Sequence, residues 1–388
     1  MKLFIKGRKE VFPRLKREIQ AGEKYIWIHA ASLGEFEQAV PVMELLKEKY
    51  PGHRILVTFF SPSGYENKKK HPLADIITYL PLDTPGNARK FLELVNPELV
   101  FFVKYDIWPN FLQEIKKREI RSFLISGAFR KEQIYFKSQG KWMKKALHSF
   151  EHIFVQNQKS RELLEKNGFN NVSLSGDTRF DRVSRQLNYD NKLEVLETFL
   201  QDELCIVAGS TWPEDEELLL EYINSDPAQV KFIIAPHEIK AGKINDLRKK
   251  LKVASVLYSE FAIEKSGSFK VLIIDNIGLL SKIYSYADIA YVGGAAGTTG
   301  LHNILEPATF GIPIVIGKNF EKFPEAKKLR QLAGLYSVAS ATELTEIFQK
   351  LVKNKDFRTQ TGMIAGHFIN SNTGATRVIN DYLSEKPI

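Results

Sequence analysis

Along the chain, short uninterrupted apolar runs alternate with longer segments whose apolar residues recur at helical spacing. Tyr25–Ala30, Arg54–Phe60, Ile76–Leu80, Leu99–Val103, Ser122–Ser126 and His152–Gln156 have the length and composition of buried strands. Phe36, Val40, Met43, Leu45 and Leu46 share one face of a helix over 35–50, and further helices are predicted near 63–70, 86–95, 109–118 and 158–168. Apolar strands alternating with helices predict a parallel sheet covered on both faces. The pattern restarts after the polar stretch Ser184–Lys192. Leu204–Ala208, Lys231–Ala235, Ala254–Leu257, Val271–Ile274, Ile289–Val292 and Ile314–Ile316 are the second set of strands. Helices are predicted near 214–224, 239–251, 278–286, 303–310, 324–333 and 341–353. The expected architecture is α/β, with two doubly wound domains over 1–183 and 184–388, the last helix being able to pack back on the first. Ligands of such domains sit at the carboxyl ends of the strands, and a cleft between the two is the default site.

Composition adds a polarity to this picture. The chain has 388 residues, 44% of them apolar and 26% charged, which excludes a disordered chain, a collagen and a multi-span membrane protein. Residues 1–185 hold 33 Lys and Arg against 21 Asp and Glu, a balance of +12; the remainder is left with 22 against 25, or −3. The basic half suits an anionic partner or is a solvated surface with none. The single cysteine, Cys205, lies in a strand-like run and excludes an internal disulfide. No run of about 18 apolar residues occurs, so no membrane-spanning helix and no signal peptide are expected. Met1–Gln20 carries seven basic and two acidic residues with Leu3, Phe4, Ile5, Val11, Phe12, Leu15 and Ile19 between them. It reads either as an amphipathic segment lying on an anionic bilayer or as a first helix packed on its own domain.

Candidate chemistry gathers where strands are expected to end. After the strand ending at Val292 comes a loop with Gly293, Gly294, Gly297 and Gly300, then a helix from near Asn303 with Pro307 in its first turn. Backbone N–H groups of such a loop and helix start can seat a phosphate. Glu306 could accept two hydrogen bonds from a ribose diol. The spacing is neither GxxxxGK[ST] nor GxGxxG, and a structural glycine turn is the competing reading. In WIHAASLGEFE, Glu35 opens a helix after a strand, as a general base towards a hydroxyl or as a first-turn capping carboxylate. Lys104 and Asp106 of KYDIWPN would face the same crevice. SGDTRFD offers Arg179; Ser210-Thr211 and Pro236-His237-Glu238 follow strands of the second domain. His148 and His152 lack a third metal ligand nearby, and no GxSxG elbow occurs, so neither a zinc site nor a serine hydrolase is expected.

WIHAASLGE, TFFSPSGYE, Pro81–Asp83, WPN, Val155–Asn157, SGDTRFD, AGSTWPEDE and GLHNILEPATFGIPIVIG occur in this order. Over about residues 20–375 this set resembles the 3-deoxy-D-manno-oct-2-ulosonic acid (Kdo) transferases of lipopolysaccharide assembly. The resemblance implies a GT-B glycosyltransferase: two Rossmann-like domains facing a central cleft, moving Kdo from CMP-Kdo to a phosphorylated lipid A precursor. It implies Glu35 as the catalytic base and Arg179 in place of a usual lysine as a cationic stabiliser. CMP contacts would fall on Pro236-His237, Ile277-Gly278-Leu279 and Asn303-Ile304-Leu305-Glu306, with Gly294, Ser210 and Thr211 nearby. Two positions depart from the family: Lys104 stands where many members are acidic, and His237 where many have arginine. CMP-Kdo would be a substrate, with no cofactor, no metal and no nucleic-acid partner. The implied place is the cytoplasmic face of a bacterial inner membrane, peripheral or through an N-terminal anchor absent from this sequence. A UDP-sugar transferase or epimerase of the same fold, or a non-catalytic nucleotide-sugar binder, is the alternative.

Overall fold

The computed structural model describes residues 2–262 and 268–387. Two compact units divide the chain: one runs up to Arg182 and takes back the segment from Asn372, the other is Val183–Ser371. The second unit thus stops short of the chain end, and the last helix, Ala375–Glu385, belongs to the first.

The first unit holds a parallel sheet of β1 (Lys24–His29), β2 (His53–Phe59), β3 (Ile76–Tyr79), β4 (Leu99–Val103), β5 (Arg121–Gly127), β6 (His152–Val155) and β7 (Val172–Leu174). Their order is β3-β2-β1-β4-β5-β6-β7. The chain builds outward from β1 to β3 and then returns to β1's other edge, where Ile26 pairs with both Ile55 and Leu99. Connections leaving β1 and β4 diverge to opposite faces, and that switch point opens a crevice at the carboxyl ends. Alternate residues feed two cores. Trp27, Leu56, Val100 and Phe102 pack with Phe91 and Phe111 on one face; Ile26, Ile28, Val57 and Phe101 pack with Phe36 and Met43 on the other. Ile379 and Leu383 of the last helix join the second face. That helix is seated by Asp181, whose carboxylate accepts the N–H groups of Gly374 at 3.0 Å and Ala375 at 3.1 Å.

The second unit repeats the plan with β8 (Leu204–Thr211), β9 (Val230–Pro236), β10 (Ser255–Leu257), β11 (Val271–Ile273), β12 (Ile289–Val292), β13 (Ile314–Gly317) and β14 (Leu335–Val338), in the order β10-β11-β9-β8-β12-β13-β14. Its switch point lies between β8 and β12. Cys205 is buried in the core, and burial pushes its thiol pKa up. The edge strands β7 and β14 were not among the runs predicted above. The expected helix over 303–310 is only Leu305–Thr309, and that over 278–286 is Leu280–Ile283 followed by a 3₁₀ turn.

The N-terminus forms two helices, Lys2–Lys9 and Val11–Glu18. Val11 and Leu15 are fully buried with Tyr79 and Phe91, and Phe12 and Ile19 pack against them. Two of the cations are also engaged. The Arg8 guanidinium sits 3.6 Å from the Phe4 ring centroid and donates to the Phe60 carbonyl at 2.9 Å. Arg14 bonds Glu18 and the Tyr65 hydroxyl, each at 2.8 Å. The second helix therefore spends its apolar face inside the unit; Ile5 in the first remains 49% exposed. Among the described residues no helix is long and apolar enough to cross a membrane. Leu15→Ala should lower the stability of the first unit by about 2–4 kcal/mol, the cost of a buried leucine truncation. Urea unfolding followed on the first unit's transition checks this; an unchanged midpoint would mean the helix is an appendage.

Candidate functional site

At the switch point of the first sheet, the helix Leu33–Lys49 starts immediately beyond β1. Ser32 caps it: its hydroxyl accepts from the Glu35 N–H, and its own N–H donates to Glu35 Oε2 at 2.9 Å. This reciprocal box explains both the sharp helix start and the fixed position of the carboxyl. Glu35 is 8% exposed. Burial, and after it the negative charge of Asp106, hold its carboxyl above the ordinary pKa; Lys104, the Ser32 N–H and His29 oppose the rise. Glu35, Lys104 and Asp106, named from separate segments, therefore act on one another.

What holds the loop after β4 in place is a network that the sequence did not reveal. His29, fully buried at the end of β1, has Nδ1 2.8 Å from Thr58 Oγ1 and Nε2 2.8 Å from Asp106 Oδ2. Trp27 Nε1 donates to Thr58 Oγ1 at 2.8 Å, and Trp108 Nε1 donates to Asp106 Oδ2 at 3.0 Å. The bonds close when Thr58 O–H donates to Nδ1 and His29 Nε2–H donates to Asp106. Lys104 sits just before, at φ +65°, a conformation uncommon for a side chain with Cβ and one that marks a tightly specified turn. The only hint in the sequence was a histidine at the end of an otherwise apolar strand.

Arg179 is tied to the same helix through intermediaries. Its N–H and Nε donate to Asp177 at 3.0 and 2.9 Å, and Asp177 also accepts from Gln38 Nε2 at 2.9 Å. Thr178 Oγ1 donates to the Gln38 carbonyl at 2.7 Å. Gln38 lies one turn after Glu35, so the SGDTR segment is locked onto the first turns of that helix. Arg179 shares its charge with Asp177 rather than standing alone.

In the second unit the organising group is Asp215, a buried carboxylate in the first turn of the helix Pro213–Asn224. It accepts from Trp212 N–H at 2.9 Å, Gly294 N–H at 2.7 Å, Ala296 N–H at 3.2 Å and the Tyr291 hydroxyl at 2.9 Å. Four donors saturate its lone pairs. The glycine loop is thereby folded against the end of β8, where Ser210 takes φ +55°. A Cβ on Gly293 would overlap the Ser210 carbonyl, which is why glycine stands there. Some of the loop's amides are thus spent on Asp215, and the helix beyond it has only five residues, so it is a weaker phosphate seat than the glycine count suggested.

Around this point the predicted residues gather at the carboxyl ends of β8, β9, β11 and β12. His237, after Pro236, stacks on Trp212 with centroids 4.6 Å apart and lies 4.5 Å from His302. His302 Nε2 accepts from Trp212 Nε1 at 3.1 Å, and burial holds its imidazole pKa down. Glu306 accepts from Asn303 Nδ2 at 3.1 Å and from Ser281 Oγ at 3.2 Å. Ser281 follows Ile277-Gly278-Leu279, in which Ile277 is 91% exposed and Gly278 has φ +92°. Ile304 and Leu305 are buried and carry Glu306 rather than offer side chains to a ligand. Thr211 and Pro236 border a cavity of about 250 Å³ with Trp212, Glu216 and Lys243. Trp212, Asp215, Ser281 and His302 were not singled out from the sequence, although three of them fall inside its quoted motifs. Among the described residues no group of three or more His, Cys, Asp or Glu side chains is arranged to hold a metal ion.

Comparison with known proteins bears on both units. Residues 6–182 match the family described as 3-deoxy-D-manno-octulosonic-acid transferase. A 3-deoxy-D-manno-octulosonic acid transferase of Haemophilus influenzae is 28% identical over 92% of this chain and 86% of its own. One of Aquifex aeolicus is 29% identical over 91% of this chain and 92% of its own. The crystal structure of a UDP-GlcNAc 2-epimerase from Neisseria meningitidis bound to UDP-GlcNAc superposes with a TM-score of 0.66 at 15% identity, over 94% of this chain and 100% of that one. At that identity the likeness speaks for the fold. The chain has the GT-B fold, its residues 6–182 match the model of the 3-deoxy-D-manno-octulosonic-acid transferase family, and over most of its length it is similar to 3-deoxy-D-manno-octulosonic acid transferases.

Proposed function

We propose that the protein transfers Kdo from CMP-Kdo to a hydroxyl of a phosphorylated lipid A precursor, with inversion, at the cytoplasmic face of a bacterial inner membrane. The observation that carries the reading is Glu35: a capped, nearly buried carboxyl at the switch point, held above its ordinary pKa, within the segment that matches the family. The acceptor oxygen bonds to the anomeric carbon of Kdo as the bond from that carbon to the CMP phosphate oxygen breaks. The hydroxyl proton passes to Glu35, and CMP leaves with the electron pair. Direct displacement inverts the centre, through a transition state of oxocarbenium character. A carboxylate with a raised pKa is the stronger base for this step.

The first unit supplies the base, with Lys104 and Asp106 setting its charge and Arg179 as a cation for developing negative charge. The second supplies the donor contacts. In this reading Glu306 accepts from the ribose diol, amides of the glycine loop not used by Asp215 donate to the phosphates, and the His237–Trp212 stack offers an aromatic surface. The reading needs no metal ion. The basic balance of the first half fits an acceptor that carries phosphates.

Glu35→Gln should lower kcat by about 10²–10⁴-fold, the usual worth of a general base, while CMP still binds. Activity within threefold of the parent contradicts the assignment; a non-catalytic nucleotide-sugar binder would lose nothing.

Asp106→Asn removes the like charge nearest in effect to Glu35, so the acid limb of the kcat/KM profile should move to lower pH. Lys104→Gln should move it to higher pH. Limbs that stay put, or move the other way, would detach Glu35 from the profile.

Glu306→Ala should weaken CMP binding by about 1.5–3 kcal/mol, the scale of hydrogen bonds to a charged group. Calorimetry showing unchanged affinity would remove Glu306 from the donor contacts.

A further inference from the structure

The connection from β5 to β6 leaves the first sheet at the carboxyl end of β5, beside the loop Lys104–Trp108 that follows β4. It consists of two 3₁₀ turns, Ile134–Phe136 and Ser138–Gly140, and the helix Lys141–Leu147. Its inner side is anchored. Tyr135 is buried and donates its hydroxyl to the Tyr105 carbonyl at 2.8 Å, and Phe129, Ala146 and Leu147 join the core. Gly140 packs so closely on Ile134 that a Cβ would overlap the Ile134 carbonyl, which folds the first turn back onto the start of the helix.

Its outer side, with the neighbouring Tyr105, keeps both apolar and basic side chains in solvent. Trp142 is 55% exposed, Ile134 43% and Tyr105 41%. Arg130, Lys131, Lys137, Lys141 and Lys145 are exposed too, and none of the five makes an ion pair among the described residues. Residues 130–145 hold six basic residues, the sixth being Lys144, and one acidic, Glu132: a net +5. An anchored, preformed element that keeps a tryptophan and an isoleucine in water amid unpaired cations matches the chemistry of a bilayer interface. There tryptophan settles at headgroup depth and lysines meet acidic lipids. The second N-terminal helix, by contrast, has buried its apolar face.

We propose that the 130–145 connection is a docking surface for an anionic bilayer, Ile134 and Trp142 entering the headgroup layer and the exposed cations lying on acidic headgroups. The surface sits at the strand ends that carry the Glu35 site, so docking would turn that site towards the membrane. It rests on the proposed function only in that an acceptor held in a bilayer gives it a purpose.

The test uses the full chain and vesicles of phosphatidylcholine with phosphatidylglycerol, without any acceptor. The parent should co-sediment at low salt and be released as the Debye length falls from about 10 Å at 0.1 M to about 3 Å at 1 M. Ile134→Ser with Trp142→Ser should lower the partition coefficient at least tenfold. Lys131→Gln, Lys137→Gln, Lys141→Gln and Lys145→Gln together should do the same. An N-terminal control, Lys9→Gln with Lys16→Gln and Arg17→Gln, should bind like the parent. Transfer to detergent-dispersed acceptor should be unchanged in all these variants, so a failed reaction and a failed docking surface are read separately. Equal binding by parent and patch variants, equal binding to purely neutral vesicles, or a loss confined to the N-terminal control would overturn the proposal. So would a parent that self-associates through the patch and ignores vesicles.

Discussion

Keeping a carboxyl group out of water is costly unless it is bonded or neutral, and the top of the first unit is arranged around that cost at Glu35. One oxygen receives the Ser32 N–H as part of the helix cap, so the same bond that starts the helix fixes the side chain. Lys104 relieves part of the burial, while Asp106 adds to it. A purely structural cap would be better served without a second carboxylate close by. Because the raised pKa favours the protonated form, the group subtracts from stability once the pH rises above its ordinary range and is least costly in acid. Such strain against stability is typical of groups kept for chemistry.

Asp215 plays the complementary part in the second unit. It is buried as well, but its four donors satisfy it completely, and it works as a fastener rather than as a reactive group. By drawing the glycine loop onto β8 it fixes where the remaining loop amides point. Two buried carboxylates in corresponding helix starts thus differ in role because one is saturated by donors and the other faces a second negative charge. The stacked Trp212, His237 and His302 then form the wall beside that loop.

Most of the architecture was legible because parallel strands buried on both faces are uninterrupted apolar runs. Tyr25–Ala30 and Leu99–Val103 are examples, displaced by at most a residue or two from β1 and β4. Two of the edge strands, β7 and β14, were not, since only Val172 is buried in β7, and β14 shows just Leu335 and Val338 to the core. The helix Lys355–Asn370 also escaped: it packs through small residues, with Gly362 so close to the Gly311 carbonyl that a Cβ would overlap it. At the site, Glu35 stood out by its place after a strand. Lys104 and Asp106 were named with it as facing one crevice, but the His29 contact that holds Asp106 was not, because it spans 77 positions through the pairing of β1 with β4, which no local pattern encodes. The N-terminal charge and apolar pattern suited a bilayer and a packed helix equally, and only the burial of Val11 and Leu15 separates the two in the second helix.

The central claim is a chemical one: that this chain attaches Kdo to a lipid hydroxyl and releases CMP. The most direct measurement incubates the protein with CMP-Kdo and a phosphorylated lipid A precursor and follows the lipid by mass spectrometry and the nucleotide by chromatography. The account predicts lipid heavier by whole Kdo residues, with one CMP released for each. Lipid of unchanged mass, with CMP-Kdo intact or merely hydrolysed, or a mass gain obtained from a UDP-sugar instead, would contradict it.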